Sequence, residues 1–248
     1  MRCIINVSIG PKYIQKQKDL ADSLKGRFDG KILLWTAIPN NNYTDSIYNC
    51  KAAAFEEAIR QGYTKILWVD SPVVALQDVS PIFERIEKDG YLTLENFGYN
   101  CAQTCSDDSL NYFALTRNEA EKYPEHAGGI IGIDTESQKG RALIRGFMEA
   151  CKAGVTEGSR YHDGQSNDPR FLFHRQDQSV LSLVAAKLDL PPTMKWNEGI
   201  TLVGSEADSK TILCWKEHGI HRLERVNIYH VILASAVIFA LMSLKRRR

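Results

Sequence analysis

The sequence predicts an α/β fold, a mixed, mainly parallel sheet flanked by helices, with a hydrophobic helix at the C-terminus. Three observations predict it. Strand-like and helix-like segments alternate through the first half of the chain. Two apolar strands, "RCIINVSIG" and "KILWVD", end on Gly10 and Asp70, and open α/β sheets take ligands beyond the carboxyl ends of their strands. At 248 residues the chain is long enough to bury a substantial core.

The elements follow in order. After the first strand, "IQKQKDLADSLK" has Ile14, Leu20, Ala21 and Leu24 near one face of a helix. "KILLWTAI" is a second strand, and "PNNNYTDS" is a turn-rich loop. "IYNCKAAAFEEAIRQG" is a helix stopped by Gly62, and "KILWVD" is the third strand. "SPIFERIEKDG" has Ser80 at the cap, Pro81 at the first helical position and Gly90 at the end. "YLTLEN" is another strand, "SLNYFAL" and "RNEAEKY" are helical, and "GGIIGID" is an apolar strand. "SQKGRALIRGFMEACKAG" and "RQDQSVLSLVAAKLDL" are helices, separated by a polar loop over 158–170. Two short strands, "ITLVG" and "TILCW", close the globular part. The organisation is a domain over 1–225 and a hydrophobic segment with a basic end over 226–248.

Composition is that of a globular protein, 44% hydrophobic and 25% charged. The net charge of +1 hides an asymmetry. Without the terminal "KRRR", 27 basic residues face 30 acids. A slightly acidic body argues against a nucleic-acid partner, which selects a basic face. The six cysteines are scattered, and a chain of this size needs no disulfide framework. They read as unpaired thiols of a reducing compartment, with "CAQTC" as half of a zinc site the other reading. "MRCIINVSIG" reads as a strand rather than a signal peptide, which places the globular domain in the cytosol.

Residues 228–244, "IYHVILASAVIFALMSL", contain no Lys, Arg, Asp or Glu. A membrane-spanning helix takes about 20 apolar residues, so this run is either a short membrane anchor or a helix packed on the domain. Spanning from a cytosolic body carries "KRRR" across the bilayer, against the usual charge bias. A helix lying in the interface avoids that conflict.

No dinucleotide fingerprint, phosphate loop or nucleophile elbow occurs. What remains is a lone acid at the end of a buried strand. Asp70 either caps the turn "DSPVV" or meets a ligand or cation there, since a carboxylate deep in a sheet is costly.

The stretch "YNCKAAAFEEAIRQGYTKILWVDSPVVALQDVSPIFERI" resembles the centre of GT-A glycosyltransferases, where a helix leads to a strand of the type "vlWlDsD" and then to "dvsPlf". "VSIGPKY" is similar to the family's first strand and nucleotide-contacting turn, with Gly10 and Tyr13. "AGGIIGID" resembles the strand lining the acceptor side. "HRQDQSVLS" resembles the Asp-Gln helix start of sugar-transferase domains, and "CWKEHGIHR" the closing strand whose histidine completes the metal site. These segments cover residues 3–222 in the family's order.

The resemblance implies transfer of a sugar from a nucleotide-diphosphate sugar to a glycan, protein or lipid acceptor, with the membrane as a further partner through the C-terminal segment. It implies Mn²⁺ or Mg²⁺ held by Asp70 and His218 (or His221), donor contacts from Gly10, Tyr13, Lys51, Asp70 and Ser71, and catalytic roles for Asp177, Gln178 and Asp163. Such a metal acts as a Lewis acid on the leaving diphosphate. The chain departs from the family at Pro72, which stands where the second acid of the aspartate motif belongs. Three outcomes follow: a metal held with fewer protein ligands, neutralisation of the diphosphate by basic groups such as Lys51 or Lys195, or a membrane-tethered domain that binds a nucleotide sugar or a partner without chemistry.

Each of these residues also has a plainer reading. Lys51 faces solvent or contacts the diphosphate. Asp177 and Gln178 cap a helix or bind sugar or acceptor. His162 and Asp163 sit in a solvated loop or supply the acceptor-side base. Gly128 and Gly129 mark a turn or a close approach, and Glu95 and Asn96 end a strand or line the sugar pocket.

Overall fold

The computed structural model describes residues 1–40, 42, 43, 46–157, 166–202 and 211–215. Its strands are β1 (Arg2–Val7), β2 (Lys31–Trp35), β3 (Lys65–Val69), β4 (Val73–Ala75), β5 (Tyr91–Asn100), β6 (Pro124–Asp134), β7 (Ile200–Leu202) and β8 (Leu213–Trp215). The helices are α1 (Pro11–Leu24), α2 (Cys50–Arg60), α3 (Ser80–Asp89), α4 (Cys101–Thr104), α5 (Asp107–Tyr112), α6 (Arg117–Ala120), α7 (Gln138–Lys152) and α8 (Asp177–Lys187).

The main sheet has the order β2-β1-β3-β6-β5, and a second sheet has the order β4-β8-β7. β1 pairs in parallel with β2 and β3. β6 runs antiparallel to both β3 and β5. Alternation of strands and helices does not encode that reversal. Between β5 and β6 the chain makes only the short helices α4 to α6, so it turns back instead of crossing over the sheet.

Both faces of the sheet are covered. One core joins Ile5, Trp68 and Ile131 to Phe55 of α2, Phe147 of α7 and Leu181 of α8. The other joins Ile4, Leu67 and Ile130 to Leu20 of α1, Phe83 of α3 and Leu213 of β8. β3 is buried after its first residue for this reason, and a strand covered on both faces carries an unbroken apolar run. α8 is buried at every position from Asp177 to Ala186, as a helix apolar on all sides must be.

α1 starts three residues earlier than its apolar spacing predicts, because Pro11 suits a first helical turn. Its buried face is Gln17, Leu20 and Leu24, while Ile14 is exposed. β6 begins four residues before "GGIIGID". The segment holding Cys101 and Cys105 opens with α4, closed by a capping box between Asn100 and Gln103. All six cysteines are unpaired, and no group of three potential metal ligands occurs among the described residues. No described helix is long and apolar enough to cross a membrane; residues 228–244 lie outside the described residues.

Candidate functional site

The site forms where β3 ends. The Asp70 amide still donates to the Gly129 carbonyl at 2.9 Å, so the carboxylate leaves the sheet from a fixed backbone. Side chains alternate along a strand, so Asp70 faces the same side as Trp68, toward α2 and α8. The Trp68 indole N–H donates to Asp70 Oδ1 at 2.6 Å. The Asp70 side chain thus reaches outward to neighbouring elements rather than capping its own turn, and is 27% exposed.

Lys51, in the first turn of α2, brings its ammonium to this point. Nζ lies 2.5 Å from Asp177 Oδ2, 2.7 Å from the Gly128 carbonyl and 3.7 Å from Asp70 Oδ1. It also stands 5.5 Å from the centre of the Trp68 ring, a favourable position for a cation. Asp177 is the first residue of α8, where the helix dipole favours an acid. Gln178 Oε1 accepts from the Gly128 N–H at 3.0 Å and from Arg175 at 3.3 Å. Gly128 precedes Ile130, the first residue of β6 to pair with β3, and both of its backbone groups are satisfied by side chains of the site.

The backbone before Asp177 is strained. Gln176 adopts φ 47 and ψ −116, a region that costs a non-glycine residue on the order of 1–3 kcal/mol. Gly129 has a packing reason to be glycine: an added Cβ would lie 1.8 Å from Trp215 of β8. The second sheet is therefore seated directly beside the backbone that holds Asp70.

Charge is unevenly compensated. Burial disfavours the charge on Lys51, but the Asp177 and Asp70 carboxylates outweigh it and hold its pKa above the usual lysine value. Burial pushes the Asp70 carboxyl up, against the opposing pull of Lys51 and the Trp68 hydrogen bond. The two directions agree once distance is considered: Asp177 takes the short contact, and Asp70 is left the poorly neutralised acid.

A divalent ion does not fit the described donor set as it stands. Two carboxylates and a carbonyl converge, but an ammonium already occupies their common point. Pro72 adds no side-chain ligand. His218, the proposed third ligand, lies outside the described residues, as do His221, His162 and Asp163.

The other expected residues make their described contacts away from the cluster. Gly10 ends the segment after β1 with φ 91, and nothing approaches its Cβ position within 4 Å. Tyr13 is exposed, with Lys16 5.6 Å from its ring centre. Ser71 points into the protein: its hydroxyl is 2.5 Å from Ser8 Oγ and accepts from Asn6 Nδ2 at 3.3 Å. Gln17 completes this network by donating to Asn6 Oδ1 at 2.8 Å and to the Trp35 carbonyl at 3.0 Å. Lys195 is exposed, and its backbone amide donates to Glu198. Asn96 donates to Glu125 at 2.5 Å.

Sequence reasoning missed Glu125, His126 and His174, all buried. Burial pushes the Glu125 carboxyl up, with Arg175 and Asn96 opposing. Burial holds His126 down to about 4, and its Nδ1 lies 2.9 Å from Thr93 Oγ1. Glu125 lies inside β6, and its only local signal was its place just ahead of the apolar run "AGGIIGID".

Comparison of the chain with protein-family models and with curated proteins finds no match. The fold and site define an α/β domain with a mixed, helix-flanked sheet compatible with a Rossmann-like arrangement, carrying an acid–lysine–acid cluster at a strand end.

Proposed function

We propose that this chain is a GT-A-type glycosyltransferase that moves a sugar from a nucleoside-diphosphate donor to a glycan, protein or lipid acceptor. One observation carries the reading: Asp70, Lys51, Gly128 and Asp177–Gln178, drawn from four separate segments, converge at the carboxyl end of β3. Ligands of such sheets bind at this edge.

In this reading the nucleotide lies along Gly10 and Tyr13. The N-terminus of α1 there has no side-chain cap and no acid in its first turn, which suits phosphate oxygens. The sugar lies over the cluster, where Asp70 and Asp177 accept its hydroxyls and Gln178 orients Asp177's helix against Gly128. Transfer breaks the bond between the anomeric carbon and the diphosphate oxygen, and the electron pair leaves with the nucleoside diphosphate. The acceptor oxygen forms the new bond and gives up its proton to Asp70, the carboxylate that Lys51 engages less closely. Residues 228–244 and the basic end hold the domain against a membrane in the same proposal.

The second reading is a tethered domain that binds a nucleotide sugar or a partner without chemistry. Pro72 favours it, together with the ion pair that engages Asp177. Release of free nucleoside diphosphate from UDP-, GDP- and dTDP-sugars, assayed with and without Asp177→Asn, separates the two. Release that the substitution abolishes in protein that still folds supports the enzyme, and binding without release supports the tethered domain.

A further inference from the structure

We propose that Lys51 is the resident cation of this site, its ammonium filling the point on which Asp70, Asp177 and the Gly128 carbonyl converge, so that the site holds its ligand without a divalent ion. The role rests on the sugar-nucleotide reading only for what the ligand is.

Three oxygens surround Nζ, at 2.5, 2.7 and 3.7 Å. An ammonium has three donors: two point at Asp177 and the Gly128 carbonyl, and Asp70 at 3.7 Å is an ion-pair contact beyond hydrogen-bond length. The lysine stem is confined: the side chain is 12% exposed and passes Trp68. Gly128 leaves the room it needs, since an added Cβ there would lie 3.3 Å from Nζ. A divalent ion seeking Asp70 and Asp177 meets a fixed positive charge already at their common point, and like charges repel strongly in a poorly hydrated site. Loss of an acid at Pro72 is then matched by the cation built into α2. A divalent ion with two carboxylates is neutral, whereas one lysine with two carboxylates is net negative. That balance suits a ligand presenting hydroxyl donors to the cluster and its phosphates elsewhere.

Removing the lysine turns the proposal into a measurement. Lys51→Ala leaves both carboxylates and the carbonyl around a vacated volume, whereas Lys51→Met removes the charge and keeps that volume filled. Thermal unfolding of the full chain is followed with Mn²⁺ alone, with no sugar nucleotide present. The wild type is expected to show no shift, Lys51→Ala to melt lower and recover by about 5 °C with Mn²⁺, and Lys51→Met to melt lower without recovery. A rise in wild-type melting temperature with Mn²⁺ that Asp70→Asn or His218→Ala abolishes overturns the proposal, and so does Lys51→Ala that Mn²⁺ leaves unchanged. If neither substituted protein folds, the wild-type arm still decides. A separate arm measures UDP-, GDP- and dTDP-sugar binding in EDTA and in Mn²⁺. Equal affinity supports the proposal and Mn²⁺-dependent affinity overturns it. If no donor binds in either, the sugar-nucleotide reading fails while the metal-only arm still decides the role of Lys51.

Discussion

The Lys51 ammonium and the Asp177 carboxylate lie 2.5 Å apart, each from the first turn of its own helix, with Gly128 of β6 between them. Both side chains are close to nine-tenths buried. Removing one partner of such a pair leaves the other charge stranded, which is more costly than never having built the pair. Asp177→Asn should therefore destabilise the fold by about 3 kcal/mol in urea titrations. Asp70→Asn should cost less than about 1 kcal/mol, because Asp70 stands 3.7 Å from the ammonium and burial already works against its charge. Equal losses from the two substitutions would contradict this ordering.

Gly129 and Trp215 make a second coupled pair. Gly129→Ala drives a Cβ into the indole ring and should cost about 2 kcal/mol through overpacking. In that background Trp215→Ala should cost less than it does in the wild type, because the clash is relieved. Additive losses in a double-mutant cycle would show that the ring does not rest on Gly129.

Acid should weaken the protein through two histidines. Burial holds His126 and His174 down to about 4, for His174 against the raising effects of a backbone hydrogen bond and the Asp177 charge. In the unfolded chain both titrate near 6.5. A depressed folded pKa gives stability that is complete above about pH 6.5 and lost as pH falls toward 4, up to about 3 kcal/mol for each group. Asp70 and Glu125, pushed up by burial, act in the opposite sense, so the comparison with a histidine variant carries the test. His126→Gln keeps a hydrogen-bonding partner for Thr93 and should flatten the fall in urea midpoint between pH 6.5 and 4. A slope equal to that of the wild type would contradict the assignment.

If the run over 228–244 anchors the chain, a charge at its centre should release it. An arginine at the middle of a spanning helix costs about 2.5–3.5 kcal/mol on insertion scales. Val237→Arg should move the full chain from the vesicle pellet to the supernatant in sedimentation with phosphatidylcholine vesicles. Unchanged pelleting, or no pelleting of the wild type, would contradict the anchor.

Much of the frame was legible because strong local signals bound it. "KILWVD" is apolar until Asp70, and β3 ends one residue before it. Gly90 closes α3 with φ 84 as expected, but Ser80 is the first helical residue and not the cap: Val79 stands at the cap without a side-chain bond, and Asp78 Oδ1 accepts from the Ser80 amide at 3.1 Å. The direction of β6 was not legible, since periodicity reports burial and not polarity of the chain. The partner of Lys51 was hidden for another reason. A salt bridge between α2 and α8 leaves no trace in either segment's local pattern. The resemblance made Ser71 a donor contact, and only the approach of β1 shows that its buried hydroxyl is engaged by Ser8 and Asn6 instead. Glu125 is a charged residue in a fully buried place, against the usual preference of its type, and depends on Asn96 and Arg175 from other elements.

The central claim is that the cluster of Asp70 and Asp177 at the end of β3 receives a nucleoside-diphosphate sugar. Calorimetric titration of the full chain with UDP-, GDP- and dTDP-sugars tests it most directly. The account predicts saturable binding of at least one donor, weakened at least about tenfold, or about 1.4 kcal/mol, by Asp70→Ala and by Asp177→Asn in protein that still folds. Absence of binding by every donor, or binding that both substitutions leave unchanged, would contradict it.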